Sequence, residues 1–133
     1  MRKMFGQETG SGLIELALVL PVLILLVLGV FDIGRGYVTY ITLENSVREG
    51  ARWLTTHPRD LDAVNTARAR VLAEAGNIAL TADEITITPS QASYQAGDEI
   101  MVAIDYPYAL LFGAITGLPT ARLHLETTMT VLY

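Results

Sequence analysis

The chain has 133 residues, a formal net charge of −5 and no cysteine. That length bounds it to one globular unit, and the missing thiols exclude disulfide frameworks and thiolate metal sites. Its basic residues are two at the extreme N-terminus, Arg2 and Lys3, and otherwise scattered arginines. An acidic chain without a basic face is not built for non-specific nucleic-acid binding.

Apolar residues make up 51% of the chain, and they are concentrated near its start. From Leu16 to Phe31 sixteen consecutive residues, LALVLPVLILLVLGVF, carry no charge. As a helix they rise about 24 Å, a short span for a bilayer core of about 30 Å. Leu13 and Ile14 lengthen the run if Glu15 is tolerated, giving a span of about 13–33. A secretory signal peptide ends in a small-residue cleavage pattern, but here Phe31-Asp32-Ile33-Gly34-Arg35 follows. A buried core helix is the other reading. The remaining hundred or so residues are too few to enclose so long an aliphatic run on every side. A membrane helix is expected. Arg2 and Lys3 keep the N-terminus cytoplasmic by the positive-inside rule, against the opposing weight of Arg35, Arg48 and Arg52.

Helical spacing continues beyond the apolar run. Tyr37, Tyr40, Ile41, Val47, Ala51 and Leu54 recur at steps of three and four, which predicts one helix over 11–56 with an amphipathic second half. Pro21 removes a backbone hydrogen bond and is expected to kink it, while Gly29 and Gly34 weaken it near the membrane exit. Arg48, Glu49 and Arg52 form a polar cluster, with Glu44 one turn before Arg48. A solvated face and a docking surface for the sheet or a partner are both open readings of it.

Residues 57–133 are expected to fold as an extracytoplasmic α+β domain. Pro58 breaks the first helix, Asp60 can cap a second over about Leu61–Ala75, and Gly76 suits its end. Leu61, Val64, Val71, Leu72 and Ala75 are its expected buried side. Alternation predicts strands at Ile85–Thr88, Ile100–Tyr106 and Leu123–Tyr133, an antiparallel meander with one face under the helices. The connection Tyr108–Pro119 is unusually apolar. Cover for the sheet is its first reading, and an exposed loop for membrane or partner contact its second. His57 and His124 have no local carboxylate motif, and Asp83-Glu84 and Asp98-Glu99 read as solvated turn residues. With no phosphate loop, nucleophile elbow or zinc spacing, neither an enzyme nor a cofactor or metal site is expected.

Residues 10–53 contain, in order, Glu15, Pro21, Gly29, Phe31, Asp32, Gly34, Arg35 and Asn45, then Arg48-Glu49-Gly50-Ala51-Arg52. This pattern resembles the TadE-like family, the pseudopilin-type proteins of tight-adherence pilus systems. The resemblance implies a non-enzymatic pilin or pseudopilin of the bacterial inner membrane, or alternatively an uncleaved single-pass anchor. It also implies processing by a prepilin peptidase. Pilin-type leaders of this class are cut after a glycine so that Glu becomes the fifth residue, which places the cut between Gly10 and Ser11 and makes 1–10 a leader. Loss of Arg2, Lys3 and Glu8 takes the net charge from −5 to −6. Glu15 is then expected to meet the new α-amino group of a neighbouring subunit, a paired charge being tolerable in hydrocarbon where a lone one is not. The implied partners are membrane lipid, the peptidase, and other pilin or pilus-machine subunits or further copies of the chain.

Overall fold

The computed structural model describes residues 8–91 and 93–132. Arg2, Lys3 and the rest of 1–7 of the expected leader, and Tyr133 at the end of the last expected strand, lie outside them.

Helix α1 runs Glu8–Thr56, unbroken through Pro21. It begins three residues before the expected Ser11 and ends where Pro58 forbids continuation. At 49 residues the helix is about 73 Å long. Helix α2, Ala63–Ala75, follows a turn in which the Asp60 carboxylate accepts the Asp62 backbone N–H at 3.0 Å. Gly76 then closes α2 at φ 61°, a conformation that favours glycine. A 3-10 turn, Ala82–Glu84, leads into β1, Ile85–Thr88. The remaining elements are β2, Glu99–Ala109, the single-turn α3, Gly113–Thr116, and β3, Thr120–Thr130.

The three strands form one antiparallel sheet in the order β1-β2-β3. The layout is α+β: a long apolar N-terminal helix, a second helix and a three-stranded sheet. Strand β1 pairs only from Met101 to Ile104 of β2, whereas β3 pairs along all of β2 from Glu99 to Ala109. Pro107, which has no N–H to offer, therefore sits where β2 has a neighbour on one side only. The alternation holds as expected apart from Ala103, which is buried as well. Ile85, Ile87, Ile100, Val102, Ile104 and Leu125 are buried, and Thr86, Thr88, Asp105, His124 and Glu126 are exposed on the other face.

Both helices cover that apolar face. Helix α1 turns Leu43, Val47, Ala51 and Leu54 into the core, and α2 turns in Ala63, Ala67, Val71 and Ala75. The phase of both helices differs from the sequence expectation. Val47, Ala51 and Leu54 are buried as read, but Tyr37 and Tyr40 are exposed and Ile41 is 38% exposed. The inward stripe instead passes through Asp32, Gly36, Thr39, Leu43 and Ser46, of which all but Leu43 are small or polar. Ser46 is tolerated inside because its hydroxyl donates to the Thr42 carbonyl at 2.9 Å, satisfying itself on its own helix. On α2, Leu61 precedes the helix and is exposed, Val64 and Leu72 only flank the core, and the alanines hold the centre. Small residues there let two helices and a sheet meet closely, which a count of large hydrophobes does not reveal.

The Tyr108–Pro119 connection is not core cover. Leu111, Ile115 and Leu118 are exposed by 48%, 61% and 64%. The segment folds on itself: the Leu110 N–H donates to the Pro119 carbonyl at 3.0 Å, and a side chain on Gly113 would sit 2.5 Å from the Leu118 oxygen. Four helical residues present too little surface to cover a sheet that α1 and α2 already cover.

Candidate functional site

The residues singled out in the sequence fall into three places along α1. The first is the bare N-terminal half. Its best window has a mean hydropathy of 2.9 and none of it is buried, so it is a helix long and apolar enough to cross a membrane. Gly10, Ser11 and Glu15 are helical and exposed here, with the expected cut in the first turn of α1. A Cβ placed on Gly29 or Gly34 would meet nothing within 4 Å, so neither glycine serves close packing inside this chain. Among the described residues between Gly10 and Phe31, only Leu28 and Gly29 are even partly covered.

The second place is the junction at Asp32, where the bare helix meets the domain. Asp32 is 2% exposed. Its two carboxylate oxygens accept the backbone N–H groups of Leu111 and Phe112 at 2.9 and 3.0 Å. The Arg35 guanidinium stands 3.6 Å from the Asp32 carboxylate on one side and 5.6 Å from the centre of the Tyr108 ring on the other. The Tyr108 hydroxyl, itself buried, donates to the Asp32 carbonyl at 3.2 Å. Gly36 faces that ring, and a Cβ there would lie 3.6 Å from it, in ordinary van der Waals contact. A carboxylate at the end of an apolar helix is costly unless it is paired. Here it holds two backbone donors that the tight turn of the connection leaves without intrachain carbonyl partners, and a cation completes the set. The Asp32–Arg35 motif is thus the clasp between α1 and the β2–β3 connection.

The third place is the crossing of α1 and α2. Gly50 is buried, and a Cβ on it would lie 2.5 Å from Val71 Cγ2 and 3.7 Å from Val102 Cγ1. Helix, helix and sheet converge on this one position. Glu49 bridges the two helices: one carboxylate oxygen accepts from Arg52 at 2.7 Å and the other lies 3.6 Å from Arg70 of α2. The Arg70 guanidinium also stacks 3.8 Å from the Trp53 ring, which stacks in turn on His57 at 3.6 Å between centroids. Arg48 points outward and pairs with Glu44 on its own helix. The cluster therefore divides. Glu49 and Gly50 serve the helix crossing, while Arg48 and Arg52 lie on the exposed face, each paired with a glutamate of α1.

Two local arrangements were not legible in the sequence. Asp105 lies directly across the strand pair from His124, with its carboxylate 2.9 Å from Nδ1, and Glu126 is 3.6 Å from Nε2. The hydrogen bond to Asp105, and then its charge, raise the His124 pKa above the ordinary 6.5. The acids read as merely solvated also bond to the backbone. Glu84 accepts the Thr81 N–H at 2.8 Å, and Asp98 accepts the Gln95 N–H at 2.8 Å, closing their turns. Partners such as Tyr108, Leu111, Phe112 and Arg70 were not singled out, because long-range pairing leaves no spacing signal in one sequence.

The family comparison falls on the segment that carries these three places. Residues 10–52 match the family model described as TadE-like protein, the family that the motif resembles. Neither curated proteins nor solved structures produced a match.

Proposed function

We propose that this chain is a non-enzymatic minor pilin or pseudopilin of a tight-adherence type system in the bacterial inner membrane. It is inserted with its N-terminus in the cytoplasm and its α+β domain outside, cut by a prepilin peptidase after Gly10, and assembled into a pilus or used to prime one. One observation carries this reading: the family match runs along α1 over residues 10–52, and the N-terminal half of that helix is left almost bare by its own domain while the other half is locked into it. An apolar helix surface of this length needs lipid or other helices around it. A pilin uses both in turn, lipid before assembly and neighbouring subunits after it.

Glu15 fits the same scheme. It is exposed on the bare helix, one residue before the long apolar run, where a neighbour's α-amino group can neutralise it and set the axial register. The same helix also suits a second reading, a permanently anchored, uncleaved protein whose domain contacts other envelope components. Intact mass of the protein recovered from its native membrane or surface fraction separates the two. A chain beginning at Ser11, with or without N-methylation, supports the pilin reading. A chain still beginning at Met1, or at Arg2 after loss of the initiator, overturns processing and leaves the anchor.

A further inference from the structure

We infer that the β2–β3 connection is a second membrane contact, an interfacial wedge whose apolar side chains enter the headgroup–acyl boundary beside the exit of α1. The inference rests on the membrane-anchor reading of α1 and adds a lipid-binding surface on the folded domain. Its first support is position. Strand β2 passes Gly50 at Val102 and reaches Gly36 and Asp32 at Tyr108, so it runs down α1 toward the apolar half. The connection that follows is then pinned to Asp32 through Leu111 and Phe112. Asp32 is the first charged residue after the apolar run, at the level where the helix leaves the hydrocarbon.

Its second support is chemistry. From Tyr108 to Pro119 there is no charged residue, and Leu111, Ile115 and Leu118 point their apolar surface outward. An exposed apolar cluster continuous with a membrane-spanning surface marks a lipid contact. The third support is length. The uncharged run of Leu16–Phe31 rises about 24 Å against a core of about 30 Å, so the bilayer must thin or the ends of the span must lie within its boundary. A clasp that buries the Asp32 carboxylate beside an apolar loop lets that end sit low without exposing the carboxylate to lipid, while the half-exposed Arg35 side chain can extend its guanidinium to the headgroups.

The absence of cysteine makes the test direct. Single-cysteine variants Ile115→Cys, Leu23→Cys and Thr130→Cys of the full chain are spin-labelled and reconstituted in vesicles of phosphatidylethanolamine and phosphatidylglycerol. Collision rates with oxygen, which partitions into lipid, and with a water-soluble nickel chelate are then compared. Position 23 should report the bilayer interior and position 130, at the far end of the sheet, water. Position 115 should shift toward oxygen and away from nickel, at a depth near the headgroup boundary. An Ile115 label as open to nickel as the Thr130 label, with Leu23 still deep, overturns the wedge and leaves the anchor intact. A Leu23 label open to nickel overturns the anchor itself. A label at 115 shielded from both agents also overturns the wedge, since protein then covers the surface.

Discussion

Removing the Asp32 carboxylate tests the clasp most sharply. In Asp32→Ala the backbone N–H groups of Leu111 and Phe112 lose their acceptors, and Arg35 loses its charge partner 3.6 Å away. Hydrogen bonds to a charged group contribute about 1.5–3 kcal/mol each, and an unsatisfied buried donor costs about 1–3 kcal/mol. Both donors here are only part-buried, and water can reach them once the loop moves. A loss of about 2–4 kcal/mol in local stability is therefore expected. The loss concerns the connection and not the core, because Asp32 lies at the edge of the domain, far along α1 from Leu43, Val47 and Leu54. Amide hydrogen exchange of the full chain in vesicles or detergent reads it directly. At about 1.4 kcal/mol per tenfold, exchange at Leu111 and Phe112 should quicken by about 30- to 700-fold, with Val102 and Ile104 unchanged. Asp32→Asn keeps one acceptor but turns an NH₂ toward a donor, so it should fall between wild type and Ala. Unchanged exchange at both amides in Asp32→Ala would refute the assignment of Asp32 as their acceptor. Acceleration spread evenly over the sheet would refute its local character.

Gly50→Ala should destabilise the domain by about 1 kcal/mol, overpacking against buried Val71 outweighing alanine's better helix propensity. The second substitution Val71→Ala should recover part of the loss in a denaturant midpoint, and a midpoint raised by Gly50→Ala alone would contradict the close approach. His124 should titrate above 6.5 by NMR and fall back toward that value in Asp105→Asn. Because the folded value is raised, the pairing supports the fold fully below pH 6.5 and is lost as pH climbs through the folded pKa. Identical titration curves in the two proteins would exclude Asp105 as the cause. Glu15→Gln should leave the domain folded, since residue 15 touches none of its core, and should reduce assembly into filaments or co-purification with pilus subunits. Assembly at the wild-type level would rule out a pairing role for this carboxylate.

Local pattern determined much of this protein. An uncharged run of sixteen residues requires an apolar environment wherever it lies, Pro58 stops a helix, and alternation over Ile85–Thr88 and Ile100–Tyr106 makes half-buried strands. These signals act within a few residues, so the α+β layout and the spacing of Glu15, Asp32, Arg35 and Arg48–Arg52 could be read from the chain alone. What Asp32 and Gly50 do could not. Asp32 works through backbone groups 79 and 80 residues away, and Gly50 through a valine on another helix and one on a strand. The phase of α1 was decided the same way. Its tyrosines at 37 and 40 face outward and Gly36, Thr39 and Ser46 face in, because the approach of β2, β3 and α2 rewards small residues over large ones. Hydrophobicity along a helix says which residues avoid water. Only the partner surfaces, brought together by folding, decide which of them can be enclosed and which must wait for lipid or another subunit.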